Sequence, residues 1–92
     1  MKIAVDVCVG RRGVRLLRKA GHEVLQAEHG ERDDAWFARA LKFGVELVVA
    51  CDNDLSILAY DHNVRFFRAI SGHSGGLTAQ RVLLRYPKKE TP

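Results

Sequence analysis

The pattern of apolar and polar positions predicts strands and helices that alternate along the chain. Residues 3–9 (IAVDVCV) are apolar on both parities apart from Asp6, which is typical of a strand buried on both faces of a sheet. Shorter apolar runs predict three further strands, at residues 23–28, 46–51 and 64–70. Apolar positions with helical spacing predict four helices, at residues 11–20, 34–43, 55–60 and 77–86. An alternative for the last segment is an edge strand at residues 81–86.

The order of these elements predicts an α/β fold, with a parallel sheet of about four strands and helices on both of its faces. Crossovers between parallel strands are right-handed, and the most buried strand belongs at the centre. We therefore expect the second strand outside the first and the third strand on the first strand's other side. This arrangement has a topological switch point between the first and third strands, and open sheets bind ligands there, beyond the carboxyl ends of the strands.

Glycines and polar residues mark the predicted boundaries of these elements. Gly10 ends the first strand, and Gly21 closes the first helix as a C-cap. Asp33 is a good N-cap for the second helix. Residues 52–54 (DND) form a turn between the third strand and the helix that follows it.

Length and composition indicate one small globular domain. The 92 residues are 47% hydrophobic and 28% charged, which supports a single core over residues 1–86 and a basic flexible tail at residues 87–92. No apolar run reaches the roughly 18 residues that a membrane span needs, and no signal-peptide pattern precedes the first strand. We therefore expect a cytoplasmic protein without a membrane partner. Its two cysteines, Cys8 and Cys51, are expected to be reduced, small, buried apolar residues.

Aspartates lie late in the first predicted strand and after the second and third, towards the carboxyl edge of the sheet. Asp6 lies late in the first strand, where a carboxylate is costly to bury unless it is paired or bound to a metal. Clustered carboxylates raise one another's pKa values unless a cation neutralises them, and Mg²⁺ and Mn²⁺ prefer oxygen ligands. The expected ligands are Asp6, Asp52 and one of Asp33 and Asp34, with Asp54 behind them or at a second ion.

A purely structural interpretation explains part of this pattern. Asp33 is then a helix cap, and Asp52 and Asp54 form a turn, so that only Asp6 remains unexplained. The two interpretations are compatible, because Asp33 can cap the helix while Asp34 binds the ion.

The same residues resemble the pattern of small PIN-like domains, which occur in toxin-like and RNA-processing nucleases. The resemblance covers residues 1–69 and combines four features. These are Asp6 late in the first strand, residues 21–24 (GHEV) at the entry to the second, the acidic pair 33–34 at a helix start, and the Asp-x-Asp of residues 52–54.

The resemblance implies metal-dependent hydrolysis of an RNA phosphodiester, controlled by an antitoxin-like protein or by self-association. Asp6, Asp52 and Asp34 or Asp33 would hold Mg²⁺ or Mn²⁺ and activate water, with Asp54 beside them. The chain departs from the family where residues 50–55 (ACDNDL) replace Thr-x-Asp-x-Asp-Phe, and where Cys8 replaces the usual Asn. These departures favour an alternative, a catalytically weak or inactive module that binds RNA or protein.

Charge adds a second indication of a polyanionic partner. The net charge is +4, and arginine outnumbers lysine ten to five. Arg11, Arg12 and Arg15 open a helix whose positive end disfavours them by about 0.3 to 1 kcal/mol each. Contact with phosphate would compensate for that placement, whereas the alternative is simple solvation. Arg65 and Arg68 could extend the same track.

Two other enzyme classes fit the chain less well. Residues 72–76 (GHSGG) match the nucleophile elbow of serine hydrolases, but no histidine follows Ser74 and the chain is too short for that fold. A phosphoacceptor receiver domain would need an acidic pair after the first strand and a late lysine at the same edge. The chain has Asp6 alone and no lysine between Lys42 and Lys88.

Overall fold

The computed structural model describes residues 1–69 and 75–87 and has the predicted α/β fold. The strands are β1 (Lys2–Val5), β2 (Glu23–Gln26), β3 (Leu47–Ala50) and β4 (Arg65–Arg68). The helices are α1 (Gly10–Lys19), α2 (Asp33–Phe43), α3 (Asn53–Asp61) and α4 (Gly75–Arg85), and a short 3₁₀ turn covers Val7–Val9. The elements predicted from the apolar pattern are therefore present, and the alternative of an edge strand near the end of α4 is wrong.

The four strands form one parallel sheet in the order β2-β1-β3-β4. Val5 of β1 is paired with Gln26 on one side and with Val49 on the other. This confirms the expected order and puts the switch point between β1 and β3.

Helices cover both faces of the sheet because the side chains of β1 and β3 alternate between two apolar clusters. Ile3 and Val5 pack with α1 and α4, whereas Ala4 packs with α2 and α3. Trp36 of α2 is 1% exposed and belongs to the second cluster, so it is a core residue. Tyr60 of α3 is 83% exposed and does not. None of the helices in the described residues is long and apolar enough to cross a membrane.

Helices α1 and α4 pack closely because glycine occupies the positions at which they meet. A Cβ on Gly13 would lie 2.6 Å from the Gly75 carbonyl oxygen, and a Cβ on Gly75 would lie 1.5 Å from that of Val9. A side chain at either position would therefore push the helices apart. The start of α4 is thus held against the 3₁₀ turn and α1, next to the carboxyl end of β1.

The structure corrects the expected position of Asp6. β1 ends at Val5, so Asp6 lies after the strand and is half-exposed. Its Oδ1 accepts a hydrogen bond from Val7 N at 2.9 Å, which starts the 3₁₀ turn. Gly10 begins α1 instead of ending the strand. The burial of a carboxylate that the sequence seemed to require does not occur, because the local cap turns the chain out of the sheet.

Two helix starts also differ from the prediction. Arg32 takes the N-cap position of α2, without a side-chain cap, and Asp33 is the first helical residue. Asn53 and Asp54 belong to the first turn of α3 rather than to a separate turn, since Asp52 is the N-cap. Residues 72–74 of the segment that matches a nucleophile elbow, including Ser74, lie outside the described residues, as do residues 88–92 of the predicted tail.

Candidate functional site at the carboxyl edge of the sheet

The carboxyl ends of β1 and β3 bring Asp6 and Asp52 to the same edge. Asp6 N donates to Val49 O at 3.0 Å, which extends the pairing of the two strands by one residue. Asp52 follows β3 by two residues, and its Oδ1 accepts from Asp54 N at 2.8 Å. Asp52 therefore caps α3, as the structural interpretation expected in part, and Asp54 stands in the first helical turn, where a negative charge is favourable.

Asp33 joins these residues from the start of α2. Burial, a hydrogen bond with Asp52, and the negative charges of Asp52, Asp6 and Asp54 raise the pKa of Asp33. These interactions indicate that the carboxyl group of Asp33 lies near those of Asp52, Asp6 and Asp54. We call Asp6, Asp33, Asp52 and Asp54 the acidic edge.

Asp34 has different neighbours. Its Oδ1 lies 3.3 Å from Arg32 Nε in an exposed ion pair, and it also accepts from Ala35 N at 2.9 Å. Of the two candidates at the start of α2, the structure brings Asp33 rather than Asp34 towards Asp52.

The donor atoms of the acidic edge suit a hard divalent cation, but they are not gathered into a chelate. Within residues 1–69 and 75–87, no three His, Cys, Asp or Glu side chains are placed to hold a metal ion. The bonds from Val7 N to Asp6 and from Asp54 N to Asp52 each use Oδ1. The second oxygen of each carboxylate can therefore turn towards a ligand while the cap stays intact.

A loop anchor that the sequence did not indicate positions Asp33. Arg39 of α2 forms two bonds of 2.7 Å with the carboxylate of Glu31 and one of 3.3 Å with Gln26 O. The hydrogen bond from Arg39 lowers the pKa of Glu31. These hydrogen bonds of Arg39 fix the loop between β2 and α2. No motif predicts it, since the two residues face each other only after the loop has folded.

Arg68 holds the loop between β3 and α3. It donates from Nη1 to Cys51 O at 3.1 Å and from Nη2 to Asn53 Oδ1. These contacts fix the backbone on both sides of Asp52. Arg65, at the other end of β4, instead lies 5.9 Å from the centre of the Tyr86 ring. Only Arg68 of this pair reaches the edge where the aspartates lie.

The three arginines at the start of α1 do not form a single row. All three are exposed. Arg11 and Arg15 line a shallow cavity of about 240 Å³ beside Gln26 of β2. Arg12 lies instead next to Gly76 of α4. The predicted nucleic-acid contacts are therefore split between the two sides of α1.

Cys8 and Cys51 meet beside the acidic edge. Their Sγ atoms are 2.9 Å apart, Cys8 is exposed and Cys51 is half-buried. The expectation that both are buried apolar residues is therefore wrong for Cys8. Partial burial of the thiol, its hydrogen bond to Cys51 and the charges of Cys51 and Asp6 raise the pKa of Cys8 to about 12.

A cavity of about 750 Å³ lies at the opposite, amino edge of the sheet. His22 lines it and joins the chain ends, since its ring nitrogens bond to Met1 N and Tyr86 O at 3.1 Å each. Neither the aspartates nor the thiols reach this cavity, and we assign it a structural role.

The candidate site is thus the acidic edge with Arg68 and the thiol pair at its borders. No family model matches the chain, and neither does any curated protein or solved structure with which it was compared.

Proposed function

We propose that the protein is a cytoplasmic ribonuclease that hydrolyses RNA phosphodiester bonds with Mg²⁺ or Mn²⁺. The observation that carries this proposal is the placement of Asp6 and Asp52 at the paired carboxyl ends of β1 and β3, with Asp33 at the start of α2. Burial and the charges of Asp52, Asp6 and Asp54 raise the pKa of Asp33 there. Mutually repelling carboxylates at a switch point are unfavourable for the fold alone, and perturbed groups of this kind concentrate at functional sites. The resemblance to PIN-like domains supports the same reaction.

In this proposal Asp6, Asp33 and Asp52 hold the ion, with Asp54 next to them. When bound there, the ion would supply positive charge opposite the carboxylates and the scissile phosphate and would make water a better nucleophile. Arg68 keeps the loop that carries Asp52 in place through its bonds to Cys51 O and Asn53.

The arginines of α1 and the apolar residues of α3 suggest where partners bind. Arg11 and Arg12 stand in the first turn of α1, at the same edge of the sheet as the aspartates, and Arg15 lies one turn further along. In this proposal all three contact the RNA backbone, from the two sides of α1. An antitoxin-like protein or a second copy of the chain would control the enzyme. Ile57 is 59% exposed and Tyr60 is 83% exposed, so they offer apolar surface for such a contact.

A second candidate function is a PIN-like module that binds RNA or protein without cleaving it. The observation in its favour is that the described residues contain no ready chelate, with one oxygen each of Asp6 and Asp52 committed to a cap. Under this alternative the aspartates are mainly structural, and the arginines carry RNA binding.

The test is cleavage of a mixed-sequence RNA with Mn²⁺, with Mg²⁺ and with chelator. Asp33→Asn, Asp52→Asn and Asp6→Asn are the informative variants. Asparagine keeps the capping oxygens of Asp6 and Asp52, and at all three positions it removes the charge with little change of shape. Asp61→Asn is the matched control, since Asp61 ends α3 at the opposite edge of the sheet.

The nuclease requires cleavage that depends on the added ion. It also requires losses of at least about 100-fold in the three edge variants, the low end for a general acid–base group, with Asp61→Asn unchanged. Equal rates in all variants would refute it. RNA binding that weakens with salt, is insensitive to the asparagine changes and occurs without cleavage would establish the binding module instead.

A further inference from the structure

The thiols of Cys8 and Cys51 are placed to react with each other. β1 and β3 are neighbours with Val5 opposite Val49, and the two cysteines follow these paired ends. The 3₁₀ turn Val7–Val9 brings Cys8 back over the end of β3. The Sγ atoms are 2.9 Å apart, about 0.9 Å more than the length of a disulfide bond. Small side-chain rotations are therefore enough to join them.

Reagents can reach the pair, and the pair is isolated from other thiols. Cys8 is exposed and Cys51 is half-buried. The chain contains no third cysteine. Arg68 holds the backbone at Cys51 through a bond of 3.1 Å to its carbonyl oxygen. An oxidant that reacts with one thiol therefore has the second thiol next to it, and the chain offers no other thiol that could compete.

We propose that Cys8 and Cys51 form a modification site, at which a low-molecular-weight disulfide converts the two thiols into an intramolecular disulfide. One cysteine loses its proton and attacks the reagent, breaking its S–S bond and releasing one reagent thiol, which takes that proton. The other cysteine then attacks the mixed disulfide and releases the second thiol. Two electrons pass from the protein sulfurs to the reagent. This inference is independent of the proposed nuclease activity, since it uses only the sulfur atoms and their surroundings.

The test exposes the reduced full chain to oxidised glutathione at about 10 μM and follows its intact mass. The reaction is run at alkaline pH, because the raised pKa of Cys8 keeps its thiol protonated at neutral pH and only the thiolate attacks. The neighbouring thiol acts at an effective concentration of about 1 mM or more, so it closes the ring roughly 100-fold faster than a second glutathione adds. The expected product is a monomer lighter by two hydrogen atoms that dithiothreitol reverts. Cys8→Ser and Cys51→Ser should each stop at a stable adduct with one glutathione.

A trivalent arsenical gives a second measurement without oxidation. Phenylarsine oxide joins two thiols through its arsenic and releases one water, so it should bind the unmodified chain at least about 100-fold more tightly than either serine variant. Accumulation of a double glutathione adduct or of disulfide-linked dimers would overturn the proposal. Equal arsenical affinity in the unmodified chain and the serine variants would also overturn it, since both sulfurs would then act separately.

Discussion

Gly13 lies where α1 meets α4, and the substitution Gly13→Ala tests that contact. The added Cβ would lie 2.6 Å from the Gly75 carbonyl oxygen and 2.7 Å from Val9 Cγ1. Ordinary contact begins at 3.4 Å, so α4 has to retreat by about 0.8 Å. The Gly75 oxygen belongs to the backbone and cannot rotate away, and Val9 is fully buried. The strain therefore passes to the helix pair.

The magnitude follows from two opposing effects. Alanine is favoured over glycine inside a helix by about 1 kcal/mol. Overpacking of a close contact costs about 1 to 3 kcal/mol, and a rigid backbone partner places Gly13→Ala towards the upper end. The net loss is about 1 to 2 kcal/mol, which for a domain of this size lowers Tm by roughly 5–15 °C.

Thermal and urea unfolding, followed by circular dichroism, measure this loss. The matched control is Gly76→Ala, whose Cβ would meet Arg12 Nε at 3.3 Å and Cδ at 3.4 Å. A flexible arginine can move, so Gly76→Ala should be neutral or slightly stabilising. If Gly13→Ala proved as stable as Gly76→Ala, the close approach of α1 and α4 would be refuted.

Three further predictions concern charge. Neighbouring carboxylates help to raise the pKa of Asp33, so the folded protein holds the Asp33 proton more tightly than the unfolded chain does. Urea unfolding at pH 7 should therefore show Asp33→Asn to be more stable than the unmodified protein. This difference in stability should shrink as pH falls towards 3.8. Burial and the N-terminal ammonium lower the pKa of His22, so the unfolded chain takes up more protons than the folded protein. The stability of the fold should therefore decrease as pH drops below 6.5. The same pH series measured on His22→Gln should lack this decrease. If the acidic edge binds Mn²⁺, an ion concentration 100 times Kd should stabilise the protein by about 2.7 kcal/mol, measured by thermal unfolding. Asp52→Asn should abolish this gain in stability, and Asp61→Asn should keep it.

The fold could be predicted because burial controls its central elements. β1 and β3 carry apolar residues on both faces, which only a covered parallel sheet accommodates, and the right-handed crossover then fixes the strand order. The ends of the elements were harder to predict. Whether β1 continues to Val9 or stops at Val5 depends on one hydrogen bond from Val7 N to Asp6, and the apolar pattern continues across that bond.

Within the site, the sequence predicted which strand ends meet but not which side chains do. Asp33 and Asp34 are consecutive on a helix, about 100° apart, so strand order cannot choose between them. The choice comes from Arg32, which pairs with Asp34, and from the loop that Arg39 fixes in front of α2. Cys8 and Cys51 flank the aspartates in the sequence, so the sequence already indicated that they could lie near one another. Their direct contact depends on a 3₁₀ turn that the strand-like pattern did not predict.

The same geometry changes which aspartate needs a functional explanation. From the sequence, Asp6 was the residue that a structural role did not cover. In the folded chain Asp6 caps the 3₁₀ turn and Asp52 caps α3, both roles that asparagine could fill at the same positions. Asp33 caps nothing, and its neighbours Asp52, Asp6 and Asp54 contribute to its raised pKa. A neutral residue at position 33 would relieve that repulsion without removing a cap, although it would also remove a negative charge from the first turn of α2, where such a charge is favourable. The comparison of Asp33→Asn with Asp6→Asn and Asp52→Asn therefore tests the proposed ion site most directly.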